Sequence, residues 1–190
     1  MLSTLWHYAP DVPESRGAFQ PVDLLRVLVE HGVEFILIGG LAATVHGSPY
    51  ATVDVDVVPR RELPNLTRLS EALRALDARV YVSVDEALVF AHDGGSLAAA
   101  EVWNLSTTFG GLDITFVPSG TQGYADLAER ARVVDIGGLN VRVAALEDIV
   151  RSKSAAGREK DQVVLPTLRR LLALEIEERR RTGDKQPPSP

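Results

Sequence analysis

Asp54 and Asp56, in the run Val53-Asp54-Val55-Asp56-Val57-Val58, are the residues of this chain best spaced to do chemistry. On a strand, side chains alternate between faces. Both carboxylates therefore project from one side, about 6–7 Å apart at the backbone, while Val55 and Val57 point the other way into a core. Two like charges held side by side repel, and such a pair usually persists because a cation sits between them. Upstream, the apolar run Phe35-Ile36-Leu37-Ile38 ends on Gly39-Gly40 and feeds a short helix. A glycine turn opening a helix offers backbone N–H groups and the positive end of a dipole, both of which attract phosphate. A phosphate site beside a divalent-cation site implies nucleotide chemistry. To hold two divalent ions about 3.5–4 Å apart, the separation used for in-line phosphoryl displacement, a third carboxylate is needed. Asp113, the lone acid in Leu112-Asp113-Ile114-Thr115-Phe116-Val117, is the candidate; the bland alternative is a solvent-facing strand residue with Thr115 beside it.

These residues need elements to position them. Helical spacing of Leu24, Leu25, Leu28 and Val29 predicts a helix over Val22–His31, stopped by Gly32. A strand Glu34–Ile38, a short helix Leu41–Val45 and the aspartate strand Thr52–Val58 follow. An amphipathic helix is predicted for Leu63–Leu76, a strand for Arg79–Val84, a short helix for Asp85–Phe90 and a turn at Asp93-Gly94-Gly95. Strands Glu101–Thr107 and Leu112–Val117 read as a hairpin joined through Phe109-Gly110-Gly111. A helix Tyr124–Ala131 comes next, then a hairpin of Arg132–Ile136 with Leu139–Val143 around Gly137-Gly138. Helices Ala145–Ala156 and Lys160–Arg181 end the pattern, with Pro166 expected to kink the last one or to start a new one. The fold class expected is α/β (α+β): a mixed sheet flanked by helices, with a helical C-terminal layer. The organisation expected is a core over residues 1–144, a helical region over 145–181 and a disordered tail over 182–190.

Composition sets limits on function. The 190-residue chain has no cysteine, which removes disulfide frameworks and thiolate metal sites and fits a reducing cytoplasm. The N-terminal stretch to Pro21 is broken by Pro10 and Pro13 and lacks the basic-then-apolar pattern of a signal peptide. No apolar run approaches a membrane span. Net charge is −6, but unevenly spread: residues 1–120 hold 7 Lys+Arg against 15 Asp+Glu, and residues 121–190 hold 13 against 11. A polyanion would therefore approach from the C-terminal side.

The ordered set Gly39, Gly40, Asp54, Asp56 and Asp113 resembles the nucleotidyltransferase (polymerase-beta-like) superfamily, with thirteen residues between Gly40 and Asp54. The segments Ala42-Ala43-Thr44-Val45-His46-Gly47 and Leu146-Glu147-Asp148-Ile149-Val150-Arg151-Ser152-Lys153, the latter followed by Gly157-Arg158-Glu159-Lys160-Asp161, resemble its AbiEii branch, which includes the MenT-type toxins. The resemblance covers about residues 22–175. It implies the polymerase-beta-like fold and a two-ion Mg²⁺ site, with Mn²⁺ as an alternative, on Asp54, Asp56 and Asp113. It implies nucleotide binding by Gly39, Gly40 and Lys153, and a site completed by Asp161; Arg158 and Lys160 join Lys153 on chemical grounds, because a triphosphate leaving as pyrophosphate needs cations around it. The implied activity is transfer of a nucleotide from an NTP, CTP or UTP, to the 3′ acceptor end of tRNA. Such a toxin would block aminoacylation and be neutralised by a cognate antitoxin. Many members of the branch carry Ser at the position of Gly40 and Arg at that of Tyr50, so a hydroxyl contact to phosphate is missing at residue 40.

Two other readings stay open: adenylylation of a protein or a small molecule such as an aminoglycoside, and a non-catalytic binding partner with the same fold. Tyr50 could stack on a base or simply pack. His46 could contact phosphate or terminate its helix through a backbone hydrogen bond. Trp103 reads as core, and Glu147 and Asp148 as acids favoured at a helix start.

Overall fold

A computed structural model describes residues 18–83 and 86–183. The expectations for the segment before residue 18 and for most of the tail after 182 lie outside the described residues. Helix α1 (Pro21–Glu30) begins on a proline, which suits the first helical turn, and buries Leu24, Leu25 and Leu28. Strand β1 (Phe35–Ile38) and helix α2 (Gly39–Val45) follow, then β2 (Asp54–Pro59) and α3 (Leu63–Ala75). Next come β3 (Arg79–Ser83), β4 (Glu86–Leu88), β5 (Val102–Thr107) and β6 (Gly110–Thr115), with the one-turn helix α4 (Gly94–Leu97) between β4 and β5. Helix α5 (Tyr124–Ala128), the hairpin β7 (Arg132–Ile136) and β8 (Leu139–Val143), and helices α6 (Leu146–Ala156) and α7 (Glu159–Thr182) complete the chain.

The eight strands form one mixed sheet in the order β4-β3-β5-β6-β2-β1-β8-β7. Strand β2 runs antiparallel to β1 and parallel to β6. In β2 the aspartates are partly exposed while Val55 and Val57 are buried, the alternation the sequence predicted. Burial of the valine face, with Leu37, Leu112 and Ile114 on neighbouring strands, fixes the register, because a one-residue slip would put the aspartates into the core. Helices α6 and α7 join the same core through Leu146, Ile149 and Leu168.

Four local expectations need correction. Residues 86–88 form strand β4, not part of a helix, pairing Val80 with Leu88 and Tyr81 with Ala87. A helix that short repays its nucleation poorly, whereas the edge of β3 offers ready backbone partners. Asp93 is not in a turn but caps α4 through a capping box with Ser96. The β5–β6 hairpin turns at Thr108-Phe109, so Gly110 and Gly111 belong to β6. Thr107 sets that turn: its Oγ1 donates to the Gly110 carbonyl at 2.8 Å and accepts from the Phe109 N–H at 3.1 Å. Helix α7 runs as one element through Pro166, so no new helix starts there.

Candidate active site

Sheet register assembles the acids. Asp56 is the Cα partner of Ile38 on β1 and of Asp113 on β6, and Asp113 is in turn the partner of Asn104 on β5. Register partners share a face, so Ile38, Asp56, Asp113 and Asn104 form a row across four strands spaced about 4.8 Å apart. Asp54, two residues along β2 on the same face, stands opposite Gly111.

Residue 39 passes so close to Asp56 that a Cβ there would fall 1.8 Å from Oδ2, and its φ is +69°. Both facts demand glycine. Gly40 is equally constrained by contact: a Cβ would sit 2.6 Å from Thr52 Oγ1. That hydroxyl donates to Asp54 Oδ1 at 2.8 Å. Thr52 thus occupies the space beside Gly40 and holds one oxygen of Asp54, a role the sequence did not disclose.

Asp56 keeps some surface exposure, but its carboxyl is enclosed by protein atoms. Burial, then the charges of Asp54 and Asp113, push its pKa up to about 7, against the opposing pull of Lys153 and the Gly40 N–H. The three acids thus form a field that favours a cation or a proton. All their donors are oxygens, which suits a hard divalent ion such as Mg²⁺. Among the described residues, no three Asp, Glu, His or Cys side chains close to metal-ligand geometry. The fit is therefore one of charge and donor chemistry, with Asp54 tied to Thr52.

Facing the acids across a cleft of about 350 Å³ are Lys153 of α6 and Arg158, the N-cap of α7. Asp161, fully buried on the first turn of α7, accepts from Lys153 Nζ at 2.9 Å and from Arg158 Nε at 2.7 Å. Burial alone would raise the Asp161 pKa; hydrogen bonds from Arg158 and Lys153 outweigh it and hold the carboxyl low. Asp161 does not line the cleft: it orients the two cations that do. Gly39, Asp56, Asp113, Lys153 and Arg158 all line the cleft. Gly40, Asp54 and Asp161 stand behind these, while Lys160 is solvent-exposed on α7 outside the lining.

Sequence reasoning missed three participants. Asn104 lines the cleft beside Asp113. Thr52 precedes the aspartates, and only its contact with Gly40 reveals it. Asp148, read as an acid at a helix start, is buried, lines the cleft and accepts from Arg130 and, at 2.9 Å, from Arg151. Arg151 also reaches Asp126 of α5 at 2.7 Å, tying α5 to the helix that carries Lys153.

His46 takes the backbone role: its Nε2 lies 2.8 Å from the Ala144 carbonyl, joining the end of α2 to the end of β8. Tyr50 is 38% exposed, with its hydroxyl 3.4 Å from Thr167 Oγ1 and outside the cleft lining. Trp103 packs against the core, donates to the Leu97 carbonyl and stacks on Phe90.

Comparison with known proteins finds a nucleotidyltransferase family. A family model described as "Nucleotidyltransferase of unknown function (DUF6036)" matches residues 20–176. No curated protein matches the chain. Among solved structures, a Thermotoga maritima protein described as a candidate nucleotidyltransferase is 17% identical, with a TM-score of 0.48 over 82% of this chain and 96% of that one. The antibiotic-resistance factor ANT(2'')-Ia in solution is also 17% identical, with a TM-score of 0.43 over 84% and 95%. Likeness this distant adds no weight to the choice of substrate.

Proposed function

The chain belongs to the nucleotidyltransferase family DUF6036, and we propose that it transfers a nucleoside monophosphate from an NTP to the 3′ end of tRNA. The observation that carries the transfer chemistry is the register pairing of Asp56 with Asp113, pressed against Gly39 and facing Lys153 and Arg158. In this reading the acceptor hydroxyl oxygen attacks the α-phosphorus and forms a new P–O bond. The bond to the bridging α–β oxygen breaks in line with it, and pyrophosphate leaves with that electron pair. Asp113 takes the hydroxyl proton. Lys153 and Arg158 receive the charge that builds on the departing pyrophosphate, already aimed by Asp161. The Gly39-Gly40 turn holds the β- and γ-phosphates with backbone N–H groups. Asp54, Asp56 and Asp113 would hold divalent cations, Mg²⁺ or Mn²⁺, which supply charge neutralisation at the phosphates and lower the pKa of the attacking hydroxyl.

For the acceptor, support comes from the AbiEii-like motifs and from exposed cations on α7, Lys160, Arg169 and Arg170, which offer a polyanion a path to the cleft. A pyrimidine NTP, a toxin role blocking aminoacylation, a neutralising antitoxin and a cytoplasmic setting belong to the same reading and rest on those motifs. The test is to incubate the protein with each labelled NTP and, separately, total tRNA, total protein or an aminoglycoside, with and without EDTA. Label on tRNA from CTP or UTP, abolished by EDTA, is the expected result. Label confined to protein or to the aminoglycoside would sink the tRNA reading and leave the transfer chemistry standing.

A further inference from the structure

Resting on the nucleotidyl-transfer reading above, we propose that Asn104 is an acceptor-binding residue that recognises a hydroxyl adjacent to the attacking one. The acceptor end would then be a sugar with a vicinal diol, such as a 3′-terminal ribose. Order across the sheet carries the inference. The glycine turn lies at the end of β1, Asp56 on β2, Asp113 on β6 and Asn104 on β5. Triphosphate held at the β1 side and metal-binding acids in the middle leave the β5 side for the acceptor. Asn104 stands one strand, about 4.8 Å, beyond the proposed proton-accepting Asp113.

Chemistry of the two walls separates their ligands. The α6–α7 wall presents cations, Lys153 and Arg158; the β5–β6 wall presents Val102, Asn104 and Thr115 beside the acid Asp113, with no cation. A phosphate or carboxylate would be served by the first wall and not by the second. The Asn104 side chain is exposed, and its carboxamide has no hydrogen-bond partner among the described residues. A carboxamide offers two donors and an acceptor oxygen. A neighbouring hydroxyl, which both donates and accepts, uses both kinds. An isolated hydroxyl, such as that of serine or threonine, leaves Asn104 without a ligand.

The experiment compares one tRNA transcript ending in ribose with the same transcript ending in a 2′-deoxynucleotide. Initial rates are measured for wild type, Asn104→Ala and Asn104→Asp. Wild type is expected to favour the ribose end at least tenfold in kcat/KM, since a site built to bond a hydroxyl rejects the analogue lacking it. Asn104→Ala should bring that ratio close to one by raising acceptor KM, with the KM for NTP and the melting temperature unchanged. Asn104→Asp loses the donors but keeps an acceptor for the hydroxyl proton, and should retain part of the preference. An unchanged ratio in Asn104→Ala, or a parallel change in the KM for NTP, would overturn the proposal. If wild type labels no RNA but labels another molecule, the tRNA reading fails separately. The diol assignment is then decided on that molecule: label on a sugar bearing a vicinal diol, lost in Asn104→Ala, sustains it, and label on an isolated serine, threonine or tyrosine hydroxyl overturns it.

Discussion

Asp56 lies directly against Gly39: a Cβ on residue 39 would fall 1.8 Å from Asp56 Oδ2, while the backbone there holds a φ of +69°. The turn that would meet the phosphates and the acid that would meet the cation are therefore one packed unit. Gly39→Ala should cost about 1–2 kcal/mol in backbone strain alone and force Asp56 to move. Nucleotide transfer should drop at least about a hundredfold, the cost of misplacing a reacting group by about an ångström. Far-ultraviolet circular dichroism should be unchanged. Full activity in Gly39→Ala would show that this contact is dispensable.

The acidity of Asp56 gives stability a definite dependence on pH. Its folded pKa, about 7, stands above the ordinary value of 3.8, so the folded state binds the extra proton. Its contribution is fully present below pH about 4 and is lost as pH rises towards and past 7, by up to about 4 kcal/mol for the metal-free protein. Mg²⁺ should raise the melting temperature more at pH 8 than at pH 5.5. Asp113→Asn, which removes one repelling charge, should stabilise the metal-free protein at pH 8 while abolishing transfer. Thermal melts across that range with EDTA and with Mg²⁺ check both; equal Mg²⁺ shifts at the two pH values would refute the assignment.

Asp161 titrates with the opposite sign. Its folded pKa is lowered, so it stabilises the protein above the ordinary carboxyl range, and that stability is lost as pH falls through the folded value. Asp161→Asn leaves Lys153 half-enclosed without its counter-charge, and should cost about 3 kcal/mol at pH 7. Arg158 is 58% exposed and can turn to water, so the loss falls mainly on Lys153. Because Asp161 aims the cations that meet the charge building on the departing pyrophosphate, kcat should fall more than the KM for NTP rises, a split measurable by steady-state kinetics.

Thr52 holds Asp54 Oδ1 while filling the space beside Gly40. Partners of metal-ligating carboxylates typically change metal affinity 10–100-fold when lost. Thr52→Val should therefore weaken Mn²⁺ binding about tenfold in electron paramagnetic resonance titrations without nucleotide, and Thr52→Ser should retain it. Gly40→Ala would displace the same hydroxyl, so adding Thr52→Val to it should bring little further loss; independent, additive losses would disconnect the two residues.

Much of the site was legible because its signals are local. Period-two alternation in Val53–Val58 placed Asp54 and Asp56 on one face, and the Gly137-Gly138 pair marked the β7–β8 turn, where both glycines have positive φ. Asn104 escaped notice for a local reason too. Placing the β5–β6 turn at Phe109-Gly110-Gly111 instead of Thr108-Phe109 loses the register that sets Asn104 opposite Asp113.

By itself the sequence determined the residue types and their order: a glycine turn, paired aspartates on a strand, a third acid on another strand, and a helical region carrying Lys153, Arg158 and Asp161. Tertiary structure alone decided which of them meet. Parallel pairing of β2 with β6 joins acids that are far apart in the chain, and burial of Asp161 divides it from the cations that it orients. Thr52 is likewise assigned to Asp54 only by its packing against Gly40. The physical reason is that periodicity fixes the face a side chain takes, whereas long-range strand pairing and close packing fix its neighbours.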